Sequence, residues 1–277
     1  MTSLSAILIT NDDGYSAPGL RTLWDCASAL EGFRPKVAAP ARGWSVRSHA
    51  TMVHADEAIR VTPLDLDGME GVIVDGFPAD CVRVALRGLD WLEDGCPLVL
   101  SGINSGGNLG VDAYYSGTLA AAREGAILGC SAIALSVLFS RTEPTDWRRV
   151  ERWALAVLRE LAPLAQANCP SLWNVNFPAP QLSDELPPIR FVPMSTDPLA
   201  VSYNGHREES DSLVYSGPYR DRFARPGTDV EALFSGAITI TPMRLDLTDS
   251  TLLEQARSEF SIGMELVPSE RALSPHA

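Results

Sequence analysis

The chain has 277 residues, 45 % of them hydrophobic, and a formal charge of −13, which suits one large globular domain or a core with an appended arm. The negative balance, with no block of Lys and Arg, excludes a nucleic-acid polymer as the expected ligand, because gripping a phosphate backbone needs a basic face. No apolar run approaches the roughly 18 residues that span a bilayer and no basic-then-apolar leader opens the chain, so a cytoplasmic protein with no membrane partner is expected.

In chain order, residues 6–10 read as a buried strand that empties into Asn11-Asp12-Asp13-Gly14. Two adjacent carboxylates repel, so a fold that aims both at one place calls for a cation. Hard divalent ions such as Mg²⁺ or Mn²⁺ prefer such oxygens, and open α/β sheets place ligands outside the carboxyl ends of their strands. A plain surface turn is the alternative, since Asp-Gly forms turns in its own right. Residues 19–30 follow as a helix through Leu20, Leu23, Trp24, Ala27 and Leu30, and 36–39 as a second short strand. The next loop carries Ser45, Arg47 and His49. If it neighbours the Asp pair, the Ser45 hydroxyl can serve a hard cation, and Arg47 and His49 can meet a phosphate or a leaving group. Ordinary surface roles for all three are equally open.

Residues 51–54 and 58–62 suggest a hairpin or an excursion from the sheet, 71–74 a strand, 79–89 a helix, and 97–100 another strand. A glycine-rich loop then runs from Ser101 through Asn104 and Asn108 to Tyr115, followed by Ser116-Gly117-Thr118 where a helix over 117–128 begins. Its glycines let backbone N–H groups approach a ligand, and the free N–H groups of a first helical turn bind anions, phosphate above all. A long surface loop with a serine cap is the plainer alternative. The loop is not a Walker A motif, a dinucleotide fingerprint or a nucleophile elbow.

A strand over 132–137, an amphipathic helix over 147–164 and a strand over 172–177 complete a strand–helix alternation. It predicts an α/β fold: a mainly parallel sheet with helices on both faces. After Pro178 the character shifts. Residues 1–192 are read as the catalytic core. Residues 193–277 are read as an arm with a hairpin-like segment, a returning strand over 237–241 and a terminal helix over 249–260, of the kind that packs on another subunit. The five cysteines are scattered and read as buried reduced thiols, and the four histidines show no metal-ligand spacing.

Taken together, these segments resemble the family of the stationary-phase survival protein SurE, metal-dependent acid phosphatases that act on nucleoside monophosphates. The matching pieces are Asn-Asp-Asp-Gly at 11–14, Ala39-Pro40 with Ser45 downstream, Pro78-Ala79-Asp80-Cys81-Val82 and Ser-Gly-Ile-Asn at 101–104. They continue with Asn108-Leu109-Gly110, Tyr115-Ser116-Gly117-Thr118, Glu124-Gly125, Asn174-Val175-Asn176-Phe177-Pro178, Gly227-Thr228-Asp229 and Ile240-Thr241-Pro242. The chain departs from the pattern at Val46, where the family usually has glycine, and at Phe77, where it usually has threonine.

The resemblance implies a Rossmann-like core and one divalent metal, Mg or Mn, per subunit on Asp12, Asp13, Ser45 and Asn104. It sets Asn108 and Ser116, with Gly117 and Thr118, against the phosphate, and implies a homodimer or homotetramer with exchanged C-terminal parts. The expected reaction is hydrolysis of nucleoside 5′-monophosphates by a metal-activated water, with 3′-monophosphates and short polyphosphates as further candidate substrates. Asp12, Asp13, Asn108 and Ser116 are the expected catalytic residues, and His49 a candidate for binding substrate or moving a proton. An Asp12 phosphoenzyme is disfavoured, because Asp12 is followed by Asp13-Gly14 and does not begin the Asp-x-Asp signature. The competing reading is a nucleotide or sugar-phosphate binding protein without turnover, which would use the same anion site but would not need paired carboxylates.

Overall fold

The computed structural model describes residues 5–53, 58–89, 97–139, 142–179, 185–204, 212–217 and 219–259. Its body is a run of parallel strands: β1 (Ser5–Thr10), β2 (Phe33–Pro40), β4 (Gly71–Val74), β5 (Leu98–Ser105), β6 (Ser131–Val137) and β7 (Leu172–Phe177). Their spatial order is β4-β2-β1-β5-β6-β7. At one edge β3 (Val61–Pro63) lies antiparallel to β4, while β11 (Ile238–Met243) lies antiparallel to β7 and carries β8 (Ile189–Phe191) beyond it. The helices of the body are α1 (Pro18–Ser28), α2 (Pro78–Arg83), α3 (Gly117–Ile127), α4 (Trp147–Ala167) and α5 (Asp229–Phe234).

The central strands are apolar on both faces because both are covered. Side chains alternate across a strand, so Ile7 and Ile9 pack with Leu20 and Leu23 of α1 and Val157 and Leu158 of α4. Leu8 packs on the opposite face with Val82 of α2 and Leu119 and Ala122 of α3. This arrangement positions the site. The chain leaves β1 toward α1 on one face and leaves the neighbouring β5 toward α3 on the other, so the two exit loops diverge and open a crevice between them.

The expected core strands and helices recur with small shifts of boundary, and some differences have physical causes. Strand β5 was expected to stop at residue 100, with a loop beyond. It runs on to Ser105, because Asn104 and Ser105 pair with Ser136 and Val137 of β6 beyond a shift in register. Gly102 makes this possible: its φ is +138°, and a Cβ there would stand 2.2 Å from the Leu135 carbonyl oxygen. The helix expected over 79–89 closes as α2 and continues as a wider π-type turn, Val84–Gly88. Part of the 51–62 excursion lies outside the described residues, as does the final residue of the expected terminal helix. Cys26 and Cys81 are buried free thiols, but Cys169 is free and exposed, and Cys130 is disulfide-bonded, against the reading of all as buried thiols.

Residues 1–243 fall in one compact unit and 244–277 in a second. The first therefore includes the hairpin-like pair β9 (Tyr203–Asn204) and β10 (Val214–Tyr215), as well as β11, which completes the main sheet against β7. The described part of the second is centred on the exposed helix α6 (Ser250–Glu259). Among the described residues no helix is long and apolar enough to cross a membrane. At Gly102, alanine would meet backbone rather than a movable side chain, in a left-handed conformation that suits glycine. Gly102→Ala should cost about 2 kcal/mol or more in urea denaturation; an unchanged midpoint would mean that the Leu135 carbonyl gives way.

Candidate active site

The exit turn of β1 is braced from within, as the Asn11 Nδ2–H donates to the Gly14 carbonyl at 2.9 Å. Beyond it, Asp12 is buried and Asp13 half-buried, at the head of the crevice. The N-terminal turn of α3 rests directly on Asp12: the Thr118 hydroxyl donates to Asp12 Oδ1 at 2.8 Å. Gly117 lies so close that a Cβ would stand 2.8 Å from Asp12 Oδ2. Ser116 is the N-cap, its Oγ accepting the Leu119 N–H at 3.0 Å. The first N–H groups of the helix thus point at the carboxylate end of β1, where the helix dipole favours negative charge. On the other side, the Ser105 N–H donates to Asp13 Oδ2 at 3.3 Å, tying the pair to the tip of β5.

Burial above all, and then the neighbouring Asp13, pushes the Asp12 carboxyl up to about 6, although its bonds from Thr118 pull the other way. Burial raises Asp13 as well. Among the described residues no Lys, Arg or His pairs with either carboxylate. Two acidic groups held together without a counter-charge fit a hard cation, and the other oxygens at hand are neutral ones. Asn104 spends its Nδ2 on the Gly106 carbonyl at 2.7 Å, leaving Oδ1 as the side-chain oxygen to offer. Ser45 is exposed on a loop fastened at both ends. The Trp44 N–H donates to the Asp12 carbonyl at 2.7 Å, and the Ser48 N–H and hydroxyl reach the carbonyls of Tyr115 and Tyr114 at 3.1 and 2.7 Å. Val46 and Ser48 take φ values of +56° within this loop, so Val46 occupies a left-handed position that glycine would fill without strain. Among the described residues no group of three or more His, Cys, Asp or Glu gathers to hold a metal, which leaves a mixed set of two aspartates and neutral oxygens.

The structure brings together Asp12, Asp13, Ser105, Gly117 and Thr118, with Asn104 next to Ser105 on β5 and Ser45 on the adjoining loop. His49 stands apart. Its Nε2 lies 2.7 Å from Glu124 Oε2, seven residues along α3 from Gly117 and roughly 10 Å away by helix rise. Burial alone would raise Glu124, but the bonds from His49 and from Arg83, whose Nε–H donates at 2.6 Å, outweigh it and hold the carboxyl below its ordinary value. Asn108 is woven into a buried amide cluster at the ends of β6 and β7. Its Nδ2–H donates to Ser136 Oγ at 2.7 Å, its N–H to Asn176 Oδ1 at 2.8 Å, and its carbonyl accepts from Asn174 and Asn176.

Two further groups shape the glycine-rich loop. Buried Asp229 accepts the N–H groups of Gly110 and Ser195 at 2.7 and 2.8 Å. Both oxygens of Asp112 accept from Arg222 Nη2 at 2.8 Å, and Tyr219 donates to the Gly107 carbonyl at 2.7 Å. The family motif pointed to Asp229. Arg222 and Tyr219 carried no spacing signal, because they come from a segment with little periodicity.

Paired carboxylates and a helix N-terminus at the carboxyl edge of a doubly wound sheet define an α/β protein able to hold a cation and an anion side by side. The chain belongs to the SurE family: the model described as Survival protein SurE matches residues 7–200. The chain is 38 % identical over 268 residues to the 5′-nucleotidase SurE of Paramagnetospirillum magneticum, covering 90 % of this chain and 95 % of that one. It is 35 % identical over 266 residues to the 5′-nucleotidase SurE of Chloroflexus aggregans, covering 91 % and 97 %. The crystal structure of the SurE protein from Aquifex aeolicus superposes with a TM-score of 0.75 at 31 % identity, over 91 % of this chain and 98 % of that one.

The crowding of Asp12 has a sign that can be measured. Its folded-state value of about 6 lies above the ordinary 3.8, so the metal-free native protein binds more protons than the unfolded chain between these values. Its contribution to stability therefore falls as pH rises from about 4 to 6. Asp12→Asn removes the charge and can still accept the Thr118 hydroxyl. It should stabilise the metal-free protein at pH 7 by on the order of 1–3 kcal/mol, read as a higher melting temperature with a flatter pH dependence. An equal or lower melting temperature at pH 7 would show the carboxylate to be at ease where it lies.

Proposed function

We propose that the chain is a divalent-metal-dependent 5′-nucleotidase, a phosphoric monoester hydrolase that converts nucleoside 5′-monophosphates to nucleoside and phosphate. Asp12, Asp13, Asn104 and Ser45 would hold the ion, Mg²⁺ or Mn²⁺, one per subunit. Bound there, such an ion supplies positive charge to the phosphoryl oxygens and makes a nearby water more acidic. The chain's own groups do the rest. The Gly117 N–H at the start of α3, with the positive end of the helix dipole, receives the phosphate and stabilises the charge that builds on its equatorial oxygens. The Ser116 oxygen is engaged by Leu119, which leaves its hydroxyl hydrogen to donate. Asn108 keeps one amide hydrogen for the same task and spends the other on Ser136. Thr118 acts through Asp12, whose carboxylate it orients. His49, fastened to Glu124, anchors the Ser45 loop to α3 and does not touch the phosphate.

The observation that carries this reading is the seating of a helix N-terminus on one of two unpaired, adjacent carboxylates, in a chain whose relatives bear the name 5′-nucleotidase. Direct attack by water agrees with Asp12 being followed by Asp13-Gly14, so that no Asp-x-Asp signature starts there. A cytoplasmic homodimer or homotetramer belongs to the same proposal, as do 3′-monophosphates and short polyphosphates as additional substrates.

Release of inorganic phosphate from adenosine 5′-monophosphate tests it. Turnover should require Mn²⁺ or Mg²⁺ and stop with EDTA, and Asp12→Asn should lower kcat at least about 10³-fold while the protein stays folded. Undiminished, metal-dependent turnover in that variant would take Asp12 out of the ligand set, and turnover unaffected by EDTA would overturn the metal dependence.

A further inference from the structure

His49, expected at the substrate, meets a buried carboxylate instead, and that contact bears on Ser45, the most exposed of the candidate metal ligands. Ser45 lies in a loop without regular structure, exposed together with Val46, Arg47 and Ser48. The chain just before it is seated on the backbone of both aspartates. The Trp44 N–H donates to the Asp12 carbonyl, and a Cβ at Gly43 would stand 3.5 Å from the Asp13 carbonyl oxygen. The Trp44 ring lies beside Phe77, with centroids 4.5 Å apart, and beneath the Arg42 guanidinium. Beyond Ser45 the path is unfavourable, because Val46 and Ser48 both sit in the left-handed region, a conformation that persists only where the surroundings enforce it.

Three groups of contacts enforce it. Ser48 bonds to the carbonyls of Tyr114 and Tyr115 at the exposed side of the loop. At its far end the Met52 N–H is shared between the two oxygens of buried Asp80 at 3.0 and 3.1 Å, and the Phe77 N–H reaches Asp80 Oδ2 at 3.0 Å. Between these, His49 Nε2 lies 2.7 Å from Oε2 of Glu124, which is 1 % exposed, while Glu124 Oε1 accepts the Arg83 Nε–H at 2.6 Å. A hydrogen bond to a carboxylate is roughly twice as strong as one between neutral groups, and burial strengthens it further. The Glu124 contact therefore outweighs the exposed bonds of Ser48. Arg83 occupies one oxygen of Glu124 and so fixes the direction in which the other points. We propose that Glu124 is a positioning residue of the metal site: aimed by Arg83 of α2, it holds His49 and thereby keeps Ser45 at the ion that Asp12 and Asp13 would bind. This rests on the metal-dependent reading of the site, and it gives the affinity for the ion a support about two turns of α3 beyond Gly117.

Two readouts on the full chain test this, and one of them needs no metal. Trypsin cuts after arginine, and Arg47 is exposed between the fastened ends of the loop. His49→Ala, which leaves Glu124 paired with Arg83, should speed cleavage at Arg47 at least about fivefold by letting the loop open. Mn²⁺ affinity, measured by calorimetry, should fall about tenfold in the same variant, the loss typical of a group that orients a ligand. His49→Gln, whose amide N–H can reach the same oxygen, should stay within about twofold of the native chain in both readouts. Glu124→Gln keeps an oxygen for Arg83; it should weaken Mn²⁺ binding at least about threefold in the native chain and add less than about twofold to His49→Ala. In a Ser45→Ala background the effect of His49→Ala on Mn²⁺ should shrink below about twofold, which a general loosening of the fold would not produce. Unchanged cleavage at Arg47 overturns the hold on the loop. Unchanged Mn²⁺ affinity in His49→Ala, or a loss that persists undiminished without Ser45, overturns the link to the ion. A native chain that binds no Mn²⁺ strikes the metal-dependent reading and that link with it, while the tryptic readout still decides whether Glu124 holds the loop.

Discussion

One contact organises this molecule: the first turn of α3 set down on the carboxylate of Asp12. An aspartate buried beside another aspartate is unfavourable, and its elevated proton affinity records the cost. The structure offsets part of it with the positive end of a helix dipole and the Thr118 hydroxyl. Neither could come so near if residue 117 carried a side chain. The same approach that steadies Asp12 brings the start of α3, with the Gly117 N–H, to the edge of the crevice. In the proposed reading a cation site and an anion site share this one helix end, so neither could be moved without the other.

Around this contact the structure supplies a frame of charged and amide groups. The glycine-rich segment has little apolar surface of its own to bury, so it is held by hydrogen bonds from distant parts of the chain. Asp229 takes two N–H groups from separate loops, Arg222 grips Asp112 while stacking over Tyr219, and Asn174 and Asn176 close on Asn108. Such buried polar networks are costly when half made, because removing one partner strands the other. This gives the region beyond residue 193 a role in the site despite its poverty in hydrophobic residues: its polar side chains hold the loop in shape.

The sheet was legible in the sequence because its central strands are covered on both sides and read as unbroken apolar runs, as in 6–9, 98–100 and 132–135. The extension of β5 to Ser105 was not, since Ser101-Gly102-Ile103-Asn104 has the composition of a loop and becomes strand only through pairing with β6. Among the site residues, the aspartate pair and the Ser-Gly-Thr segment were visible from their places at the ends of predicted elements. The parts played by Thr118, His49 and Asn108 were not. Their side chains turn to Asp12, Glu124 and Ser136, partners 106, 75 and 28 residues away.

The sequence by itself determined the order of strands and helices, the family, and the chemical character of the loops. Those properties depend on local patterning and on motifs a few residues long. Only the tertiary structure decided that the start of α3 rests on Asp12 while the tip of β5 holds Asp13. It also decided that an arginine and a tyrosine from a stretch without periodicity complete the glycine-rich loop. Those outcomes depend on crossing the sheet from one exit loop to another, a long-range choice set by packing on both faces that no short window of residues encodes.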